Sequence, residues 1–183
     1  MNREFKDALE DSPVIAAIKD DNGLKECLKS DIQVVFILYG DICNIADIVD
    51  TVKQAGKMAL VHLDLINGLS AKDVAVEFLL KKYTKADGII STKPALIKHA
   101  GEIGLTSVLR LFVIDSMAYE NIQKHVKGAR PDVIEVLPAL MPKVVEKSLS
   151  NFADSGYCRR ACVGQGRCDV SFAGRRCQCV VDK

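Results

Sequence analysis

Lys57-Met-Ala-Leu-Val-His-Leu-Asp64, continuing into Leu65-Ile-Asn-Gly-Leu-Ser70, is the stretch around which this chain can be understood. Four largely apolar residues, Met58 to Val61, end abruptly at His62 and Asp64, and a loop opens. An apolar run of this length between turn signals predicts a strand buried on both faces, the habit of parallel sheets. In such sheets the loops after the carboxyl ends of the strands carry ligands. Side chains alternate along a strand, so His62 and Asp64 are expected on the same side as Met58 and Leu60. Two polar groups would then emerge together at one end of the sheet.

Working outward, the same design recurs. Toward the amino terminus, Val14 to Ile18 and Gln33 to Tyr39 read as strands, each followed by a helix, Leu24 to Leu28 and Ile42 to Ala55. Gly56 is placed to end the second of these. Ser70-Ala-Lys-Asp73 resembles a capping box before a helix over Val74 to Tyr83. Toward the carboxyl terminus, Asp87 to Lys93 is a strand running into a polar loop, and Pro94 opens a helix to Ile103. Thr106 to Asp115 and Pro131 to Pro138 are further strands, with helices over Ser116 to Val126 and from Pro142 to Leu149. Six strand–helix units at roughly 20–25-residue spacing predict a parallel α/β sheet. Compact units of this kind favour a TIM-barrel-like (β/α) barrel, incomplete after about six units. The alternative, an open doubly wound sheet, lacks a G-x-G-x-x-G after any strand.

The bulk properties agree. The 183 residues are 49 % hydrophobic but only 5 % aromatic, with no Trp, which suits layered α/β packing. One domain with a single large core fits this length. No apolar run approaches the roughly 18–20 residues of a membrane span, and the opening residues carry no secretory signal. A cytoplasmic protein without a membrane partner is expected. Cys27 and Cys43 are expected to be buried helix cysteines, and His99 and His125 to lie on helix surfaces.

Two strands carry a charge where an apolar residue is expected. Arg110 shares a face with Phe112 and Ile114, and Glu135 with Val133 and Leu137. In a barrel these strands are neighbours, so the two can pair inside it, offsetting the cost of burying either alone. A structural ion pair and a ligand-facing role both remain open.

Near residue 150 the chain changes character. Residues 151–183 hold 6 of the 25 basic residues, 3 of the 24 acidic ones and five of the seven cysteines. The body, 1–150, is therefore slightly acidic and lacks the basic footprint of a strong nucleic-acid binder. The tail cysteines are spaced C-x3-C, C-x5-C, C-x8-C and C-x-C, with no C-x2-C and no nearby His, so zinc is a poor match and no metal is expected. A disulfide knot would require an oxidising compartment. A third reading uses the genetic code. Shifted by one base, the codons of Ala153 to Tyr157 permit Pro-Ile-Val-Ala-Thr, and those of Cys158 to Val163 permit Ala-Gly-Gly-Leu-Val. Arg176 to Asp182 permits Gly-Ala-Ser-Val-Ser-Ser-Thr in the same frame. That text restores the strands and Gly-Gly loop that a six-unit barrel lacks. The expected division is thus a barrel domain over 1–150 and an irregular, frameshifted, poorly packed tail over 151–183.

Four segments carry a family resemblance: Ser12-Pro-Val-Ile-Ala-Ala-Ile-Lys19, His62-Leu-Asp-Leu-Ile-Asn-Gly-Leu69, Asp87-Gly-Ile-Ile-Ser-Thr-Lys93, and Pro131-Asp-Val-Ile-Glu-Val-Leu-Pro138 with Met141-Pro142. In order, they make residues 1–150 resemble the glycerol uptake operon antiterminator regulatory proteins. The resemblance implies a TIM-barrel-like fold and a bacterial regulator responsive to glycerol 3-phosphate. It also implies RNA binding: antitermination on the leader mRNA of glycerol operons, with no catalysis and no cofactor beyond the effector. A homo-oligomer is open.

From the matching segments Lys19, His62, Asp64, Thr92, Lys93, Arg110 and Glu135 are candidate ligand-binding residues. Lys19 and Lys93 would neutralise phosphate charge, Asp64 and Glu135 would accept from ligand hydroxyls, and His62 suits either task. Rim lysines and a satisfied core histidine are the plainer readings. The competing function is a TIM-barrel enzyme acting on a small phosphorylated polyol, which would need an acid–base pair or a Schiff-base lysine at the mouth. An inactive product lacking its last quarter-barrel is the third.

Overall fold

The computed structural model describes residues 3–12, 14–78, 83–112, 125–137, 160–163, 171–172, 175–176 and 178–181, the last four segments as backbone. A short helix, α1 (Arg3–Asp11), precedes the first strand and buries Phe5, Ala8 and Leu9, an i, i+3, i+4 stripe. Then come β1 (Val14–Ile18), α2 (Asp21–Lys29), β2 (Val34–Ile37), α3 (Ile45–Gln54) and β3 (Met58–His62). A 3₁₀ turn (Leu63–Leu65) leads to α4 (Asp73–Val76), β4 (Gly88–Ser91), α5 (Pro94–Glu102), β5 (Thr106–Phe112) and β6 (Val133–Leu137). Residues 125–129 are helical. Among the described residues no helix is long and apolar enough to cross a membrane.

The fold is TIM-barrel-like, as the strand spacing predicts. Neighbouring strands pair in parallel in sequence order from β1 to β6. The backbone of β7 (Arg160–Val163) adds to β6, and that of β10 (Gln178–Val181) adds to β1. Together they close the ring. Between them, β8 (Ser171–Phe172) and β9 (Arg175–Arg176) form an antiparallel pair outside it. Short backbone strands thus lie within residues 160–181, beyond the six strand–helix units of the barrel. Unpaired edges on β1 and β6 would leave rows of N–H and C=O groups without partners. Backbone pairing asks little of side-chain identity, so even an atypical sequence can supply it. The closure is thinnest where β10 meets β7, at the single register pair Gln178↔Val163.

Alternation along the strands sorts the apolar residues into two cores. Ile15, Ala17, Val34, Phe36, Met58, Leu60, Ile90, Val108 and Val133 pack together with Phe5 and Leu9 of α1. This is the barrel interior, with α1 packed against its amino-terminal end. The opposite parity, including Ala16, Ile18, Val35, Ile37, Ala59, Val61 and Ile89, packs against Ile45, Val49, Val52, Leu96 and Ile97 of the outer helices. The period-2 argument therefore places His62, Arg110 and Glu135 on the interior parity, above Leu60, Val108 and Val133.

Four local expectations need correction. Helix α3 starts at Ile45, not Ile42, because Asp41 Oδ1 accepts from the Cys43 and Asn44 N–H groups at 2.7 and 3.1 Å. That turn leaves Cys43 exposed, whereas Cys27 in α2 is buried as expected. Helix α4 has Lys72 at its N-cap with no side-chain cap bond, so the capping box does not form. His99 is not a surface residue: its Nε2 lies 3.0 Å from Glu77 Oε1 with the side chain 19 % exposed. His125 is exposed. Gly56 does end α3 with φ +73°, and Pro94 does open α5. The helices expected over Ser116 to Val126 and from Pro142 fall largely or wholly outside the described residues.

Candidate functional site

The carboxyl ends of β1, β3, β4, β5 and β6 bring the seven candidate residues to one end of the barrel. They form two clusters and one outlier. The first is built on Asp64, in the 3₁₀ turn after β3. Its carboxylate accepts from Thr92 N at 2.7 Å, Thr92 Oγ1 at 2.9 Å, and Ser91 Oγ at 3.1 Å to each oxygen. Lys93 Nζ stands 3.7 Å away. Burial alone would push this carboxyl up, but the Thr92 N–H, the two hydroxyls and His62 hold it below the usual carboxylate range. A carboxylate has about four acceptor sites, so Asp64 is largely committed to fixing the β4–α5 turn. That leaves it little capacity for ligand hydroxyls.

The second cluster is the pair foreseen inside the barrel. Arg110 and Glu135 are register partners across β5 and β6. Arg110 Nε donates to Glu135 Oε2 at 2.6 Å and Nη2 to Oε1 at 3.1 Å, with Glu135 only 1 % exposed. Parallel pairing puts matched positions side by side on one face, which is why the two charges meet without a loop to guide them. His62, 2 % exposed, ends the same interior layer. Its pKa is lowered to about 4, first by burial and then by the Arg110 charge, with Asp64 acting the other way. Among the described residues its buried Nδ1 has no hydrogen-bond partner.

Lys19 is the outlier, exposed at the end of β1 on the rim. The next residue, Asp20, caps α2 by accepting from Gly23 N at 2.8 Å. Ser91 was not singled out from sequence, yet it is fully buried, bonds Asp64 and accepts from Lys93 N at 3.0 Å. The signal was available: a small polar residue ends an apolar strand, as His62 does one strand earlier.

The amino-terminal end of the barrel is polar for another reason. Lys57 Nζ donates to the carbonyls of Ser30 and Ile32 at 2.6 and 2.8 Å. Asp87 takes Lys53 Nζ at 2.7 Å and Ala59 N at 2.8 Å. A concavity of about 790 Å³ at this end is lined by Lys98, Glu102, Ser107, Lys127 and Asp132 among others. Asp132 there accepts from Ser107 N and Oγ. Groups at the strand starts of such barrels serve stability, while chemistry and binding sit at the other end.

Residues 14–154 match the glycerol-3-phosphate responsive antiterminator family. The chain belongs to that family. It is 47 % identical over 137 residues, 75 % of its length, to YgcP, an uncharacterized protein of Escherichia coli K12, covering 71 % of that protein. The crystal structure of the glycerol uptake operon antiterminator regulatory protein of Listeria monocytogenes superposes with a TM-score of 0.77 at 25 % identity, over 91 % of this chain and 90 % of that one. A glycerol uptake operon antiterminator-related protein of Thermotoga maritima superposes with a TM-score of 0.74 at 28 % identity, over 91 % and 93 %. Membership in a regulatory antiterminator family agrees with the role and the glycerol link implied by the four segments.

Proposed function

We propose that the chain is an RNA-binding transcription antiterminator whose barrel mouth takes glycerol 3-phosphate and which acts on leader transcripts of glycerol uptake and utilisation operons. The family match over the residues that build the mouth carries this reading. Lys19, at the end of β1 and so next to the closing strand β10 on the ring, supplies positive charge at the rim for the phosphate. His62 and the Arg110–Glu135 pair face the polyol from the interior. Effector binding there would bias the loops after β3 and β4, which Asp64 ties together, and so couple ligand to the RNA-facing state.

The enzyme reading draws less support from the geometry. A proton acceptor working near neutral pH needs a raised pKa, whereas Asp64 is held low by its donors.

The phosphate itself would be cradled by backbone N–H groups after the seventh and eighth barrel strands, as in other barrels of this type. The family match ends at residue 154, where the cysteine-rich tail begins. We infer that 151–183 is a one-base-shifted reading of the family's C-terminus, and that the cradle is altered in this polypeptide.

Calorimetric titration of glycerol 3-phosphate into this chain and into a frame-restored one, beside gel retardation of a glycerol-operon leader RNA, tests both points. The restored chain should bind more tightly and retard the RNA in an effector-dependent way. Equal affinities sink the altered cradle. No retardation at any effector concentration sinks the antiterminator reading, and turnover of the polyol phosphate would favour the enzyme.

A further inference from the structure

We infer that His62 hydrogen-bonds a hydroxyl at the polyol end of the effector, making it the residue that distinguishes glycerol 3-phosphate from phosphates lacking that hydroxyl. The inference rests on the effector reading above and goes further, by assigning one end of the ligand to one side chain.

Three observations carry it. His62 stands on the interior parity of β3, above Met58 and Leu60, at the last strand position before the mouth. Only 2 % of its surface is exposed, yet among the described residues Nδ1 has no hydrogen-bond partner. A buried polar atom left without a partner is costly and marks a place where a ligand or water is expected to supply one. Finally, the charges around it do not suit a phosphate. Arg110, the cation that acts on His62, is engaged by Glu135 through two hydrogen bonds. Asp64 adds a carboxylate on the following turn, shared with Lys93. A dianion placed here would meet two carboxylates and two cations already paired with them.

A hydroxyl suits the same place. The imidazole is neutral across the physiological range, since burial and Arg110 disfavour its protonated form. A neutral ring offers one donor and one acceptor, and a hydroxyl can answer either without bringing charge into the interior.

The test is a ligand-by-variant cycle. Glycerol 3-phosphate, 3-hydroxypropyl phosphate, 2-hydroxypropyl phosphate and propyl phosphate are titrated into the chain and into His62→Phe and His62→Gln. For His62→Phe, affinity for glycerol 3-phosphate should fall roughly three- to tenfold. Affinity for the analogue lacking the contacted hydroxyl should not fall further. His62→Gln should recover part of the loss. An equal loss for all four ligands overturns the inference, because His62 would then touch the phosphate or act through the fold; no loss for any ligand overturns it as well. If neither the chain nor its frame-restored form binds any of the phosphates, the effector reading fails and this assignment with it; if only the restored form binds, the same variants are compared in it. Thermal melts establish that the variants fold. Should His62→Phe not fold, His62→Gln and His62→Asn carry the same comparison.

Discussion

Arg110 and Glu135 face each other across the β5–β6 ladder as register partners, joined by two hydrogen bonds of 2.6 and 3.1 Å inside the barrel. The pair lies within the interior layer that His62 completes, so its charges set the electrostatics of the mouth as well as the packing below it.

Removing one partner strands the other. Glu135→Leu or Arg110→Leu is expected to cost about 3–5 kcal/mol in urea denaturation, because an uncompensated charge stays buried. The double replacement Arg110→Met with Glu135→Leu should recover most of that loss. Recovery with weakened effector binding would give the pair a ligand-facing role. Recovery with unchanged binding would make it structural only.

His62 predicts a loss of stability in mild acid. Its pKa is lowered from 6.5 to about 4 in the folded chain, so below pH 6.5 the unfolded chain takes up a proton that the folded one refuses. Stability should therefore fall as pH drops from 6.5 toward 4, by about 3 kcal/mol from this group. Asp64, whose folded pKa is depressed, contributes stability that is lost only as pH falls through that lower value. Denaturation midpoints at pH 7 and pH 5 check this: His62→Gln should flatten the difference between them.

Asp64→Asn should loosen the β4–α5 turn. The amide cannot accept from Thr92 N, Thr92 Oγ1, Ser91 Oγ and the Lys93 ammonium as the carboxylate does. A loss of about 1–3 kcal/mol is expected, with faster amide exchange at Thr92 and Lys93. Unchanged exchange there would show that the turn stands without Asp64.

The amino-terminal end offers a contrast. Lys57→Met leaves the Ser30 and Ile32 carbonyls without the ammonium that now serves them. About 1–3 kcal/mol of stability should be lost, while affinity for glycerol 3-phosphate, measured by titration of the folded variant, should not change.

Gly88 has no room for a side chain. A Cβ there would overlap the Thr106 carbonyl oxygen of the neighbouring strand, so β4 and β5 would have to part. Gly88→Ala is expected to cost at least about 1–3 kcal/mol, as overpacking generally does. An unchanged melting temperature would contradict the close approach of these strands.

Much of the architecture was already legible in the amino-acid order. Strands β1 to β6 fall where short aliphatic runs meet turn residues, and the parity of Met58, Leu60 and His62 foretold which side chains enter the barrel. Local pattern suffices there because strand alternation is a property of the backbone alone. The pairing of Arg110 with Glu135 also followed, once adjacent strands were granted. Other features needed the tertiary structure. Helix α1 covers the barrel floor through contacts that only the assembled interior provides. That Ser91 and Thr92 tie Asp64 into the β4–α5 turn is another, since hydrogen bonds across 27 and 28 residues leave no local trace. Whether Nδ1 of His62 finds a partner is likewise decided in three dimensions: sequence places a histidine at the end of a strand, but only the surrounding walls settle what its nitrogen meets, and among the described residues it meets no partner.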